Sequence, residues 1–181
     1  MSSRAIKKRG MSEVVGNVLL IAISIIMSVL VYAWLKTYVP TDVVKCDDGT
    51  SIFLKNFAYN CTTGKEILNV TLENNGKFSV DGYFIHASNN SDPDALAVID
   101  LSGKILSGGV FSGSSVRFSD TIENWLTPST PTNEKMSSFN VTGYGKITKI
   151  EIIPLRMQVV GNAKQVVSCS DVKIDQILAC S

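Results

Sequence analysis

The chain has 181 residues, enough for one domain of ordinary size and an appendage, and its formal charge of +1 conceals an asymmetry. Residues 1–10 hold Arg4, Lys7, Lys8 and Arg9 without an acid, while the rest carries 13 basic against 16 acidic groups. A basic tip on a mildly acidic body argues against nucleic-acid binding, which needs cations on a folded face. It suits a segment held on the cytoplasmic side of a membrane.

An uncharged apolar run, VVGNVLLIAISIIMSVLVYAWL, follows from Val14 to Leu35. As a helix its 22 residues span about 33 Å, the thickness of a bilayer's hydrocarbon core. Asn17, Ser24 and Ser28 are its clearly polar members, and both serines can hydrogen-bond back to helix carbonyls. Tyr32, Trp34 and Tyr38 gather at the far end, where amphipathic rings prefer the interface. Four cations precede the run and Lys36 alone follows closely, which puts the N-terminus in the cytoplasm and everything from Thr37 outward outside the cell. A secretory signal of the ordinary kind has a shorter apolar region closed by small residues. No such site closes this one, so the run reads as a retained helix.

The residues before the run read Lys8-Arg9-Gly10, then Met11-Ser12-Glu13-Val14-Val15-Gly16. This junction resembles that of the archaeal type IV pilins and archaellins. Their class III signal peptide ends in basic residues and a small residue, followed by V-S-x-V-I-G and a hydrophobic helix. Met11 and Val15 depart from that pattern conservatively. The resemblance, over Lys7–Leu35, implies cleavage between Gly10 and Met11 by a membrane-embedded prepilin peptidase. It also implies assembly of identical subunits into a helical surface filament after a membrane-anchored stage. Glu13 has two readings. It is a carboxylate in a helix's first turn, favourable by some tenths of a kcal/mol; or it pairs with the Met11 amine of a neighbouring subunit and selects axial register. Gly16, Ala22, Ser24 and Ser28 are small enough for close helix approach, or are neutral positions in an anchor.

Pro40 ends or kinks the helix, and Val39-Pro40-Thr41-Asp42 reads as a short linker. Beyond it, short alternating runs bounded by turn residues predict an antiparallel β-sandwich. The strands fall at Glu66–Glu73, Phe78–Ala87, Ala95–Leu101, Val110–Phe118, Lys146–Ile153, Met157–Val160, Gln165–Cys169 and Val172–Leu178. Asn74-Asn75-Gly76 is a strong turn signal, and residues 119–145 read as a long loop around an Ile122–Leu126 patch. The fold class expected is therefore α+β: a signal peptide at 1–10, a hydrophobic helix at 11–39 and an extracellular sandwich at 40–181.

Four cysteines, all in the sandwich, read as two disulfides. Of three possible pairings, Cys46–Cys61 with Cys169–Cys180 is expected, because each closes a hairpin-sized loop. A loop of about 15 residues is worth about 3 kcal/mol. No C-x-x-C spacing suggests zinc. Glycosylation sequons begin at Asn60, Asn69, Asn89 and Asn140. No acid, base or nucleophile constellation stands out, so neither an enzyme nor a cofactor is expected. His86 reads as a packed or half-exposed strand residue, and Asp92-Pro93-Asp94 as an acidic turn. A filament subunit is thus the leading expectation. A single-pass anchored binding protein that never polymerises is the alternative.

Overall fold

A computed structural model describes residues 10–38, 45–119, 126–128, 133–160 and 163–180. The basic tip up to Arg9, the Val39–Asp42 linker and most of the Ile122–Leu126 patch lie outside the described residues. The chain divides into two units, Met1–Val43 and Val44–Ser181.

The first unit holds α1, Gly10–Tyr38. Its apolar residues are set by composition rather than periodicity: they occupy every side of the helix, so no polar face exists to direct packing.

The second unit is a sandwich of two antiparallel sheets. Eleven strands are described: β1 (Ile52–Asn60), β2 (Ile67–Asn74), β3 (Gly82–Ser88), β4 (Ile99–Asp100), β5 (Ile105–Ser107), β6 (Val110–Ser112), β7 (Ser115–Arg117), β8 (Glu134–Asn140), β9 (Lys149–Val160), β10 (Ala163–Ser168) and β11 (Ile174–Ile177). The smaller sheet has the order β1-β2-β8-β5; the larger runs β10-β9-β3-β7-β6, with β11 on β9 and β4 on β3. Leu68, Val70 and Leu72 of β2 and Phe139 of β8 meet Tyr83, Ile85 and Ala87 of β3 and Ile150 and Ile152 of β9 in one buried core. The Tyr59 hydroxyl spans the layers by accepting the Ile147 N–H at 2.9 Å.

Several strands differ from the sequence expectation. Glu134–Asn140 forms β8, central in the smaller sheet between β2 and β5, so residues 119–145 are not one continuous loop. β1 was not among the expected strands, and a bulge explains why. The register shifts between Leu54 and Asn56, so the inward set changes from Ile52 and Leu54 to Phe57 and Tyr59 and period-two alternation is lost. Val110–Phe118 is a hairpin of two short strands, turned at Gly113, whose φ of +66° suits a residue without Cβ. Lys146–Ile153 and Met157–Val160 merge into the single strand β9 through Pro154. The Pro154 carbonyl accepts the Cys169 N–H at 2.9 Å, so its ring nitrogen lies on that same edge. There the partner of β9 changes from β11 (through Ile152) to β10 (from Leu155). A missing donor is tolerated at such a gap.

The turn at Asn74-Asn75-Gly76 forms, but it carries the chain from one sheet to the other rather than into a hairpin. Asn74 is fully buried and satisfied. Its Nδ2 donates to the Phe78 and Leu126 carbonyls at 2.9 and 2.8 Å, and its Oδ1 accepts the Gly76 N–H at 2.9 Å.

Candidate functional site

The feature least explained by folding alone is the surface of α1. Seventeen large apolar side chains from Val14 to Tyr38 are 46–69% exposed. Full burial of one such side chain is worth about 1.5–3 kcal/mol, so covering this surface is worth tens of kcal/mol. The helix requires an apolar environment. Val14–Tyr38 is long and apolar enough to cross a membrane. Three of its hydroxyls are satisfied within the helix, two of them on the serines to which the sequence pointed: Ser24 Oγ donates to the Ile21 carbonyl and Ser28 Oγ to that of Ser24, both at 2.8 Å. Thr37 Oγ1 donates to the Ala33 carbonyl at 3.1 Å. Each bond hides a hydroxyl that hydrocarbon could not solvate. Trp34 and Tyr38 lie ring to ring at 4.6 Å. Apart from its chain neighbours and the helix's own backbone, no heavy atom approaches within 4 Å of the Cβ position at Gly16, so that position is open to a neighbour. Gly10, Met11 and Glu13 belong to the first turn of α1, and their side chains lie outside the described residues.

The cysteines form two disulfides, but not in the expected pairing. Cys46 joins Cys169 and Cys61 joins Cys180, with Cα–Cα distances of 5.1 and 5.6 Å. The neighbour pairing fails because nine-residue β1 lies between Cys46 and Cys61. An extended strand of that length holds its ends about 30 Å apart, whereas a bridge needs Cα atoms within about 7 Å. Instead the two disulfides fasten β1, an edge strand of the smaller sheet, at both ends to segments adjoining the larger sheet. Cys169 follows β10 and Cys180 follows β11. Arg156 of β9 adds an ion pair with Asp47, beside Cys46, while its guanidinium lies 4.0 Å from the Phe78 ring centroid. Two intramolecular disulfides suit an oxidising, extracellular compartment.

The sequons occupy unlike settings. Asn60 and Asn140 are exposed at strand ends, Asn69 is half-buried in mid-strand, and Asn89 is exposed just after β3. His86 is half-buried on β3, its ring stacked on Phe84 with centroids 6.3 Å apart. Asp92 Oδ1 accepts the Asp94 N–H at 3.0 Å, closing the acidic turn.

One depression of about 230 Å³ lies on the outer face of the larger sheet, lined by Asp81, Gly82, Phe84, Arg117, Leu155 and Val166 among others. Gly82 lines it, and a Cβ there would stand 2.2 Å from the Val116 carbonyl oxygen of the neighbouring strand. Asp81 is almost wholly buried. Its Oδ2 accepts the Met157 N–H, whereas Oδ1 has no hydrogen-bond partner among the described residues. Burial pushes its carboxyl above the ordinary range, opposed in part by that N–H and by Arg117 and Arg156. Because Oδ1 is sealed from solvent, the polar side chains lining the depression besides Asp81 are those of Arg117, Ser112, Ser114 and Ser115, beside an apolar wall.

Comparison with known protein families, with curated proteins and with solved structures finds no match.

Proposed function

We propose that the chain is a structural subunit of a type IV pilus-like surface filament. In this reading α1 supplies the filament core and the sandwich the outer surface. The observation that carries the proposal is the apolar surface exposed around the whole of α1, joined directly to the Gly10–Met11 junction of class III type. Cleavage there by a prepilin peptidase removes four cations and creates an amine at Met11. A helix with no polar face can pass from lipid into a bundle of identical helices while remaining dry. Glu13, near the new amine, supplies the charge that selects register between subunits.

The disulfide arrangement supports a role at a surface exposed to shear. A pull transmitted along the chain from α1 enters the sandwich at Cys46. There a covalent bond carries it to Cys169 and the larger sheet, so β1 need not peel from β2. A single-pass anchored binding protein would share the helix and the disulfides but not the assembly.

Three measurements separate these readings. N-terminal sequencing of the surface form is expected to begin at Met11. An intact Met1 would overturn processing at this junction. Shearing cells and sedimenting the medium is expected to recover the chain in high-molecular-weight filaments, and retention with membranes would favour the anchor. Glu13→Gln is expected to cut filament yield while leaving the amount of membrane-inserted chain unchanged; unchanged yield would refute the register role.

A further inference from the structure

Three of the four sequons lie on one face. Asn60 pairs with Ile67 on β2, and Ile67 pairs with Asn140 on β8. Directly paired residues of antiparallel strands face the same way. Since Leu68, Val70 and Leu72 are buried, Ile67 and its two partners point away from the core. Asn69, paired with Ala58 and Ser138, belongs to the next outward row. Asn60 and Asn140 thus flank one strand on the outer face of the smaller sheet, separated by two strand spacings, about 10 Å.

The hydrogen bonds divide the four asparagines. The Asn60 Oδ1 accepts the Thr62 N–H at 2.9 Å and the Thr62 hydroxyl at 2.7 Å. The Asn140 Oδ1 accepts the Thr142 N–H at 3.0 Å. In both, the sequon's own threonine binds the amide oxygen in an Asx turn, and Nδ2 makes no hydrogen bond among the described residues. At Asn89 the opposite end is engaged, since Nδ2 donates to the Tyr144 carbonyl at 2.9 Å. Asn69 is half-buried, its Oδ1 accepting the Ser138 hydroxyl at 2.6 Å. It sits in mid-strand, paired on both sides with Ala58 and Ser138. Asn60 and Asn140, by contrast, are the last residues of their strands, and each is paired on one side only, with Ile67. A residue held on both sides cannot leave the sheet to enter a transferase.

We infer that Asn60 and Asn140 are a paired N-glycosylation site, and that Asn69 and Asn89 stay bare. The donor is an oligosaccharide linked to a polyprenyl phosphate or diphosphate. Nδ2 forms a bond to the anomeric carbon, the anomeric C–O bond to phosphate breaks, the lipid phosphate leaves with the bonding electrons, and the amide gives up one proton. The Cys61–Cys180 bridge does not cover the site, because Asn60 is exposed beside it. Two chains of sugar on one row stand over an outward face that carries Ala58, Asn69 and Ser138 in the next row and Asn56, Thr71 and Met136 in the row beyond. A face so covered is closed to packing against a second copy. The inference needs the sandwich to be exported, and not that the chain polymerises.

The test is glycopeptide mapping of the full chain from cells that make it, with disulfide mapping of the same sample. Sugar is expected at Asn60 and Asn140 and absent from Asn69 and Asn89. Asn60→Gln and Asn140→Gln each remove one glycan mass, and Thr62→Ala does the same as Asn60→Gln while keeping the asparagine. Sugar at Asn69 or Asn89, or a bare Asn60 or Asn140 on chains with both disulfides formed, overturns the inference. Chains lacking the disulfides would instead overturn export itself, on which the filament proposal also rests.

Discussion

Removing the disulfides one pair at a time tests the crossed connectivity through its energetics. The two bridges span 123 and 119 residues and their loops overlap. In the chain-entropy treatment, closing the first loop in the denatured chain is worth about 4.9 kcal/mol. With one bridge closed, the path between the other two cysteines runs through it: 15 residues from Cys61 back to Cys46 and 11 from Cys169 on to Cys180. A loop of about 26 residues is worth about 3.5 kcal/mol. Cys61→Ala with Cys180→Ala is therefore expected to cost about 3.5 kcal/mol, and Cys46→Ala with Cys169→Ala about the same plus a small cavity term at buried Cys169. Replacing all four costs about 8.4 kcal/mol, more than the sum of the single-pair losses. Guanidinium unfolding in mild detergent, followed by the near-ultraviolet dichroism of buried Tyr59 and Tyr83, reads these differences. Because domains are stable by only about 5–15 kcal/mol, all variants are compared in the same stabilising osmolyte. Neighbour-paired loops would instead be independent, worth about 3.0 and 2.8 kcal/mol and additive. Additive losses totalling about 6 kcal/mol would refute the reasoning.

Other consequences follow from buried polar groups and close backbone contacts. The folded Asp81 carboxyl holds its proton more tightly than the unfolded one. Stability from this group is thus full below the ordinary value of 3.8 and falls as pH rises through the raised one. Asp81→Asn keeps an acceptor for the Met157 N–H and is expected to reduce that fall, seen as a smaller loss of unfolding midpoint with rising pH than in the parent chain; an unchanged slope would count against burial as the cause. Asn74→Ala leaves two carbonyls and an N–H without their side-chain partner and is expected to cost about 2–4 kcal/mol, measured by the unfolding midpoint. Gly82→Ala forces a methyl against the Val116 carbonyl and is expected to cost about 1–3 kcal/mol, with faster amide exchange along the β3–β7 pairing.

The features legible in the sequence are those whose cause is local. An uncharged run of bilayer length needs no partner to declare itself, because exclusion of apolar side chains from water depends on composition alone. β2 shows because it alternates without interruption, with Leu68, Val70 and Leu72 inward and Ile67, Asn69 and Thr71 outward. β8 did not show because its inward positions include Ser137, buried and bonded through its hydroxyl to the Gly108 carbonyl at 3.2 Å. The pattern carries too little apolar signal once an inward position is polar. β1 was masked by its bulge, and β9 by a proline that only the neighbouring strands make tolerable.

The sites follow the same division. The Gly10–Met11 junction and the four sequons are strings of adjacent residues, readable anywhere in a chain. Which cysteines bond, and which sequon amides point freely outward, depends on groups up to 123 residues apart. By itself the sequence determined an apolar helix of bilayer length and an α+β class, since these rest on nearest-neighbour chemistry. Only the tertiary structure decided that Cys46 meets Cys169 and that Asn60 and Asn140 share a row. Strand length and register set those distances, and neither is written in the spacing of the residues concerned.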